Sequence, residues 1–546
     1  MMYTAFDLMG ADIVFCVEFE WCGKIHRYST KGLHISSVDG ELEYLPTIID
    51  FDFVESADIT TIDIESNVVS MALIIQDANY IAEWSRGFGL DGVDAEFFYV
   101  LTKFDTPVSD YESRVVLYRG QIQEPQFGGV DEVDNFVSFS IESQLSDGDR
   151  LLLDSNLLID DRFDDRDIST GDGKNWTIVF GNAGRQIQQT INTTKSVFAI
   201  PAYNVHHYDS HDNCRMMVAG HPVLASNATI QDDNFETATK PILVDNDGRG
   251  NLYSYIELKT SDNVAMPNYS GSGDSRQWWI YMDGDGIVSP YSEDGLTGGG
   301  DLCRWALSKT GQKVDDDAWA NLSPLLNQYS FDGYINDGSI TAFDWLQGNI
   351  LPYLPISIRL GPNGIKPILI EMWALVFVSP VASVQIGDDK EWILESTINT
   401  MRSTADLINQ YTFRFGKRGF DQEYTSQIRI SHIGAESYDV ISDYSIISVN
   451  KFGVKPSTGQ CDYVYDRDTA ILIAQSKVRA NSLPLYQIEV SASMEYGWIQ
   501  IGDVLSVSID KFYLSNHKMM VISKQYRDGL WLMTLAFEIN PIQNDT

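Results

Sequence analysis

The stretch VLSVSIDKFYLSNHKMMVISKQYRDGLWLMTLAFEI, residues 504–539, decides the fold class of this chain. It contains three runs that alternate apolar and polar residues or are rich in β-branched and aromatic residues, which is typical of half-buried strands. Turns are expected at three pairs of turn-forming residues: Gly502-Asp503, Ser515-Asn516 and Asp528-Gly529. In the first run Leu505, Val507 and Ile509 are all apolar, so this set is predicted to face the core.

The segment before these strands has helical spacing. In DTAILIAQSKVRA (468–480), Asp468 is the expected N-cap, and Ala470, Ala474 and Val478 fall on one face of the predicted helix. A further β-like run, YQIEVS, follows before the closing strands. The carboxyl-terminal region is therefore expected to be an antiparallel barrel preceded by a helix.

The middle of the chain also favours helices. Aspartate and threonine are good N-cap residues, and proline ends a helix, so the polar residues that open each run and Pro352 indicate helix boundaries. The runs with helical spacing are DLCRWALSKTG (301–311), DDDAWANLSPLLNQY (315–329), TAFDWLQGNILP (341–352) and STADLINQYTF (403–413). The expected N-caps of the first three are Asp301, Asp315 and Thr341.

The first 155 residues are strand-like again. Their β-branched and aromatic runs are VFCVEFEW (14–21), FFYVLTKF (97–104), SRVVLYRGQIQ (113–123) and NFVSFSIESQL (135–145). Acidic, turn-rich sequence at 154–175 and long loops between short β-like runs follow. We expect a mainly β chain with a smaller α+β part and four domains: β-domains at 1–155 and 381–546, an inserted β-rich domain at 156–300 and a mixed α/β domain at 301–380.

The charge of the chain excludes several classes of partner. It has 77 acidic and 38 basic residues, a formal net charge of −39 and a pI near 4.3. Such a surface repels nucleic-acid phosphates and anionic lipids. The start carries Asp7 and Asp12 where a signal peptide needs an apolar run. The apolar stretch 366–384 is broken by Glu371 and Pro380, so it predicts core strands and no stable membrane anchor.

One short segment could hold a metal ion. In YNVHHYDSHDNC (203–214), His206, His207, His211 and Cys214 fall within nine positions. A structural zinc site needs four nitrogen or sulfur ligands, which this segment could supply. The residues between them favour turns, and ligands usually come as two close pairs. We therefore expect a solvent-facing loop without metal, with these four residues as the only candidate ligands.

Other chemistry is not indicated by the sequence. VDNDGRGN (244–251) and YMDGDGIV (281–288) lack the ligand spacing of EF-hand calcium loops and are expected to be hairpin turns. Zinc-hydrolase, nucleophile-elbow, Walker and dinucleotide-binding signatures are absent. The five cysteines are scattered and contain no C-x-x-C pair, which predicts reduced thiols. We expect no enzymatic activity, no catalytic residues and no cofactor.

The order of these segments resembles the baseplate hub, or tail tip hub, proteins of tailed bacteriophages and gene transfer agents. The resemblance is carried by the helix at 468–480 with the strands after it, by SITAFDWLQGNILPYLPISIRLGPNGIKPILIEM (339–372), and by YSTKGLHI (28–35) with VVLYRGQIQEPQF (115–127). WTIVFGNAGRQI (176–187) resembles a P-x-x-F-G segment of these proteins, with Thr177 in place of proline. Some relatives hold an iron–sulfur cluster through clustered cysteines, which this chain lacks.

The resemblance implies an architecture and a function. Hub chains carry tube-like antiparallel β-barrel domains at both ends, and three chains close the end of a six-fold tail tube. It implies a structural virion protein at the tail tip, assembled in the host cytoplasm as a homotrimer around the DNA ejection channel. Its partners would be the distal tail or tail tube protein, the tape measure protein and central tip or fibre proteins, and DNA would pass without specific binding. The alternatives are a cell-wall hydrolase and a receptor- or sugar-binding tail protein, to which Trp278-Trp279 could contribute stacking.

Overall fold

The computed structural model describes residues 11–56, 68–74, 89–128, 136–142, 151–152 and 178–181, a set of strands between 187 and 283, and 287–539, with short gaps at 109 and within the last range. The chain divides into two compact units, and each is built from segments far apart in sequence. Unit 1 comprises 1–146, 355–407 and 483–546, and unit 2 comprises 147–354 and 408–482. The fold is mainly β, as predicted. The four-domain division stays a prediction.

The amino-terminal strands of unit 1 form one mainly antiparallel sheet. Its described strands are β1 (Ala11–Trp21), β2 (Lys24–Ser29), β3 (Leu33–Ser37), β4 (Gly40–Pro46), β5 (Ile48–Ser56), β6 (Val68–Ile74), β7 (Asp94–Lys103), β8 (Thr106–Pro107), β9 (Val115–Gly128) and β10 (Phe136–Glu142). They pair in the order β2-β1-β7-β9-β10-β6-β5. The β3–β4 hairpin packs on this sheet, where Leu33, Ile35 and Tyr44 meet Phe98 and Val100. All four strands predicted in this region are confirmed.

Unit 2 contains two smaller sheets between 187 and 283. The first pairs β12 (Ile187–Asn192), β20 (Ser275–Asp283), β16 (Asn227–Asp232) and β17 (Thr237–Pro241) in that order. The second pairs β13 (Phe198–Ile200), β14 (Tyr203–His207), β15 (Asn213–Val218), β19 (Leu252–Lys259) and β18 (Leu243–Asn246) in that order. The region is thus β-rich, as its short apolar runs predict.

The rest of unit 2 is mixed. Its described helices are α1 (Gly299–Ser308), α2 (Asp316–Leu326), α3 (Ala342–Asn349), α4 (Asp443–Phe452) and α5 (Arg467–Asn481). Its remaining strands are β11 (Ile178–Phe180), which pairs with β21 (Gly333–Ile335), and the four-stranded sheet β29 (Asp439–Ile441), β28 (Tyr424–Ser431), β27 (Gln410–Lys417) and β30 (Pro456–Gln460). Asp315 and Thr341 cap α2 and α3 as predicted, since their side chains accept from the backbone N–H groups of Ala318 and Asp344.

Four local predictions were wrong. The segment 403–413 leads into β27 because Tyr411, Phe413 and Phe415 alternate on its buried face with a period of two. The N-cap of α5 is Asp466, which accepts from Thr469 N at 2.8 Å, so Asp468 lies in the first turn. Asp301 is likewise not an N-cap, because it lies in the first turn of α1, and Gly298 occupies the N-cap position. The turn expected at Ser515-Asn516 lies earlier, at 510–513.

The carboxyl-terminal part of unit 1 is a closed six-stranded barrel. The strands of this region are β22 (Ile356–Gly361), β23 (Gly364–Leu369), β24 (Ala382–Ile386), β25 (Trp392–Leu394), β26 (Asn399–Arg402), β31 (Leu485–Ala492), β32 (Val504–Ile509), β33 (Leu514–Arg527) and β34 (Leu530–Glu538). The ring runs β24-β32-β33-β34-β31-β25 and closes by the pairing of β25 with β24, and both pairings of β24 are parallel. β22 and β23 form a separate hairpin, and a 3₁₀ turn at Met372–Phe377 precedes β24, so the stretch 366–384 is only partly strand.

Strand β32 has the predicted alternation. Leu505, Val507 and Ile509 are at most 1% exposed and lie in the main core of unit 1. Val504 is also buried, but it packs in a second cluster with Met372 and other residues on the opposite side of the strand. The main core combines residues of the barrel with Phe15, Phe53 and other residues of the amino-terminal sheet, so both ends of the chain share it.

Candidate functional site

The histidine–cysteine segment lies on two strands of a hairpin. His206 and His207 end β14, Cys214 lies near the start of β15, and His207 is directly opposite Cys214 in the antiparallel register. The prediction of a loop across the whole segment was therefore wrong, because the strands extend into it from both sides. His211 lies outside the described residues. The expectation that these four residues bind no metal ion stays a prediction.

The other metal and thiol candidates give no centre within the described ranges. Asn246 pairs with Leu252, which confirms the hairpin predicted at 244–251, and the turn predicted after Asp283 lies outside the described residues. Among the described residues no three His, Cys, Asp or Glu side chains are placed to hold a metal ion. Cys16, Cys303 and Cys461 are buried free thiols, and burial raises the pKa of each, as expected for structural cysteines.

The site with the most unusual chemistry lies where the two ends of the chain meet in unit 1. Strand β5 of the amino-terminal sheet pairs antiparallel with β33 of the barrel, with Ser56 opposite Ser523 and Val54 opposite Gln525. Aromatic rings pack across this join: the Phe15 centroid is 4.6 Å from that of Tyr526 and 6.3 Å from that of Trp531. We call this region the strand junction.

A buried lysine lies at the strand junction. Lys524 is only 2% exposed. Its Nζ donates hydrogen bonds to the carbonyl oxygen of Gly497 and, at 2.8 Å, to that of Ile499. The ammonium lies 4.4 Å from the ring centroid of Trp531 and 6.0 Å from that of Phe53. Burial lowers the pKa of Lys524 to about 7, against a weaker opposing attraction from Asp503.

Two further cations adjoin Lys524. The Nζ of Lys366 donates to Oε1 of Gln500 at 2.6 Å, and the backbone N–H of Gln500 donates to Oδ2 of Asp503 at 2.8 Å. Arg359 is 5% exposed, and burial lowers its pKa to about 9. Burial also raises the pKa of Asp503, although the Gln500 N–H and all three cations oppose this shift. The group thus contains three cationic side chains and one carboxylate.

These side chains surround a small cavity. Its volume is about 10 Å³. The lining residues are Val116 and Leu117 from β9, Arg359, Gly361 and Lys366 from the β22–β23 hairpin, and Gly497, Trp498, Gln500 and Lys524 from the barrel region. The cavity therefore lies where three parts of unit 1 meet. We call it the junction cavity.

The size of the junction cavity limits what it can do. A lysine with a pKa near neutrality resembles the amines that enzymes use as bases or nucleophiles. A cavity of about 10 Å³ has room for about one water molecule, however, so it has no room for an organic substrate beside Lys524. The arrangement can instead fix the join between the sheet and the barrel and hold one small species.

Nothing in the sequence pattern reveals Lys524 as a core residue. In β33, Met519 and Val521 face the core, and strict alternation would continue that face at Ser523 and turn Lys524 outward. A register shift between Val521 and Ser523 reverses the phase and turns Lys524 inward. Sequence reasoning missed the site because a bulge leaves no clear signal in composition or periodicity.

A second buried charged group lies on the other side of the barrel wall. Glu538 at the end of β34 is 8% exposed, and burial raises its pKa to about 8 although Arg402 opposes this shift. Burial lowers the pKa of Arg402, and the attractions of Glu538, Glu371 and Asp406 oppose this shift. Glu371 also accepts a hydrogen bond from the Trp373 indole. This group has more carboxylates than cations, the reverse of the junction cavity.

Comparisons with known proteins give remote structural likeness. The chain is similar to the tail protein from Neisseria meningitidis MC58, with a TM-score of 0.36 and 10% identity over 97% of each chain. It is also similar to a chain of the virion of a native gene transfer agent particle, with a TM-score of 0.34 and 9% identity over 68% of this chain and 85% of that one. No protein-family model and no curated protein matches the sequence. None of the helices in the described ranges is long and apolar enough to cross a membrane.

Proposed function

We propose that this chain is a structural protein of a phage tail, a baseplate hub that forms a homotrimer at the tail tip around the DNA ejection channel. The proposal extends the resemblance carried by the segments 28–35, 115–127, 339–372 and 468–539. In this role the chain acts by its shape and contacts, and its side chains need perform no reaction.

One observation carries the proposal. The join of β5 to β33 brings an amino-terminal antiparallel sheet and a carboxyl-terminal closed barrel into the same unit, although more than 400 residues separate them in sequence. A chain with two adjoining β modules can supply two positions of a ring, so three copies supply the six that a six-fold tube needs. This arrangement supports a trimer better than it supports a free-standing binding module.

The charge of the chain adds a condition. Three copies of a chain with net charge −39 carry −117, so association must overcome strong repulsion. The contacts between chains are then expected to bury more than the ~1,600 Å² of a standard interface. The acidic residues should lie on the channel and the outer surface, where they keep DNA phosphates from binding to the wall.

The site chemistry favours the structural role over a cell-wall hydrolase. The most perturbed amine, Lys524, lies beside a cavity too small for a glycan or peptide. A test is direct: the purified chain should release no soluble fragments from peptidoglycan. Release that depends on one of its own carboxylates or histidines would refute the proposal.

Assembly gives the main test. We expect light scattering of the full chain at micromolar concentration to give the mass of a trimer, with the trimer fraction rising with salt because salt screens repulsion. A monomer at both low and high salt would argue against a hub. Imaging of the intact particle decides the position, since any location other than the three-fold axis of the tail tip would overturn the proposal.

A further inference from the structure

We propose that one outer face of the barrel in unit 1 is a contact surface between copies of this chain. We call it the barrel face, and it consists of Val376, Phe377, Val381, Ser383 and Gln385. The inference rests on the proposed assembly as a homotrimer, for which it names a surface. It concerns unit 1 alone, since all five residues belong to that unit.

The first argument is a cluster of exposed apolar side chains. Phe377 is 64% exposed, Val376 50% and Val381 37%. Single exposed apolar residues are common on protein surfaces and need no explanation. These three instead fall within the short segment 376–381, just before strand β24. Clustered apolar side chains at a surface are typical of sites that another macromolecule covers.

The second argument is that the segment is held in place. The 3₁₀ turn at Met372–Phe377 packs on the outer wall of the barrel through Leu375, which is buried against residues of β32 and β33. Lys518 of β33 donates hydrogen bonds of 2.8 Å to the carbonyl oxygens of Leu375 and Val378. Because the backbone beside Phe377 is fixed in this way, its exposed ring loses little conformational entropy when a partner covers it.

The third argument is charge. The stretch 372–387 contains no Asp, Glu, Lys or Arg, whereas 21% of all residues in the chain are charged. In β24, Val384 and Ile386 are buried in the barrel core, and Ser383 and Gln385 are exposed on the outer side. The barrel face therefore offers apolar and uncharged polar groups only.

This composition favours a second copy of the chain as the partner. Two copies with a net charge of −39 each repel one another, and contact between them costs least where neither contributes a carboxylate. A basic partner would be attracted to the acidic surface instead. Anionic lipid would need lysine or arginine beside the apolar side chains, and the barrel face has neither.

Photo-crosslinking tests the contact directly. The full chain is prepared with p-benzoylphenylalanine in place of Phe377, which keeps an aromatic ring at this exposed position. Irradiation at micromolar concentration should give a covalent product that contains two copies of the chain. The same probe at Phe104, which is 89% exposed between β7 and β8, is the matched control. It should give at least about tenfold less product, because diffusional encounters alone are short-lived.

A pair of variants tests the role of charge. Ser383→Glu adds a carboxylate to the barrel face without removing apolar surface, and it should weaken association by about tenfold or more. Ser383→Ala controls for the loss of the hydroxyl and should leave association unchanged. Light scattering over a range of concentrations measures both, and an unchanged circular dichroism spectrum shows that the fold is retained.

The outcomes separate this inference from the proposed hub. If the chain is a trimer, equal crosslinking at Phe377 and Phe104, or association that Ser383→Glu leaves unchanged, would overturn the barrel face and leave the hub standing. A monomer at low and high salt that still gave the Phe377 product would support the barrel face as a weak contact and argue against the trimer. A monomer without that product would refute both. In intact particles, a Phe377 product that contained a different protein in place of a second copy would also overturn the inference.

Discussion

The amino-terminal sheet and the carboxyl-terminal barrel of unit 1 treat charged side chains in opposite ways. In the sheet, a row of four charges crosses four neighbouring strands, from Arg27 through Glu18 and Glu96 to Arg119. Two carboxylates directly opposite each other would repel, but each is flanked by arginine. Arg27 Nε lies 3.0 Å from Glu18, and Arg119 Nε lies 2.6 Å from Glu96.

The barrel instead contains buried charged groups with shifted pKa values. Lys524 and Glu538 are both under 9% exposed. Burial lowers the pKa of Lys524 and raises that of Glu538, so it favours the neutral form of each. The difference teaches that ion pairs at a sheet surface leave stability dependent on salt, whereas poorly compensated buried charges make it depend on pH. Four predictions test this contrast, from the largest effect to the smallest.

The largest effect is expected from a new charge inside the barrel. Val507→Asp places a carboxylate at a fully buried position of β32, where the surroundings are apolar, and should cost about 4 kcal/mol or more. Ser506→Asp is the matched control, because Ser506 is half-buried and lies opposite Lys518 in the register. Urea denaturation measures both. Equal stability of the two variants would contradict the assigned faces of β32.

The second effect is a rise in the free energy of unfolding with pH, caused by Lys524. The unfolded lysine keeps its proton up to a pH near 10.5, whereas the folded lysine releases it near 7. The unfolded chain therefore binds more protons between these values, and the free energy of unfolding should rise with pH across this window by several kcal/mol. Lys524→Met should remove that rise. A variant that kept the full slope would show that Lys524 is not its source.

The third effect has the opposite sign. Glu538 has an ordinary pKa of 4.5 and a pKa of about 8 in the folded chain, so the folded chain binds more protons between these values. The free energy of unfolding should therefore fall as pH rises from 4.5 to 8, by an amount similar to the rise due to Lys524. Glu538→Gln, which mimics the neutral acid, should flatten this fall. Thermal unfolding over that range measures it, and an unchanged fall would assign it to another carboxyl group.

Sequence reasoning succeeds where a local pattern determines the structure. The alternation in 504–509 gave the faces of β32, and the capping residues Asp315 and Thr341 marked two helix starts. It failed at 403–413, where pairing with neighbouring strands outweighs helical spacing. Strand pairing is a non-local property that single-sequence patterns do not encode.

The strand junction could not be predicted for the same reason. It depends on the pairing of β5 with β33, between segments at opposite ends of the chain, and on a bulge that reverses the face of Lys524. Neither leaves a mark in composition. Arg359 and Lys366 lie on a hairpin within the predicted domain at 301–380, whereas Lys524 lies in the predicted carboxyl-terminal domain, so only the folded chain brings all three cations together.

The smallest effect is expected in the amino-terminal sheet. Glu18 accepts hydrogen bonds from Arg27 Nε, from the Tyr44 hydroxyl at 2.6 Å and from the Tyr111 hydroxyl at 3.4 Å. Glu18→Gln keeps the shape and an acceptor oxygen but removes the charge. Because the Glu18 and Arg27 side chains are 17% and 23% exposed, we expect a loss of only about 1–2 kcal/mol at low salt.

The salt dependence of that loss separates the two kinds of charge. Screening weakens the Glu18–Arg27 pair but acts little on a fully buried group, so the cost of Glu18→Gln should shrink as salt rises, while the pH slope due to Lys524 should persist. Glu20→Gln is the control, since Glu20 is an exposed glutamate on the same strand, and its cost should be near zero. If the cost of Glu18→Gln were as large at high salt as at low salt, the row of charges would behave as a buried network, and the contrast between sheet and barrel would fail.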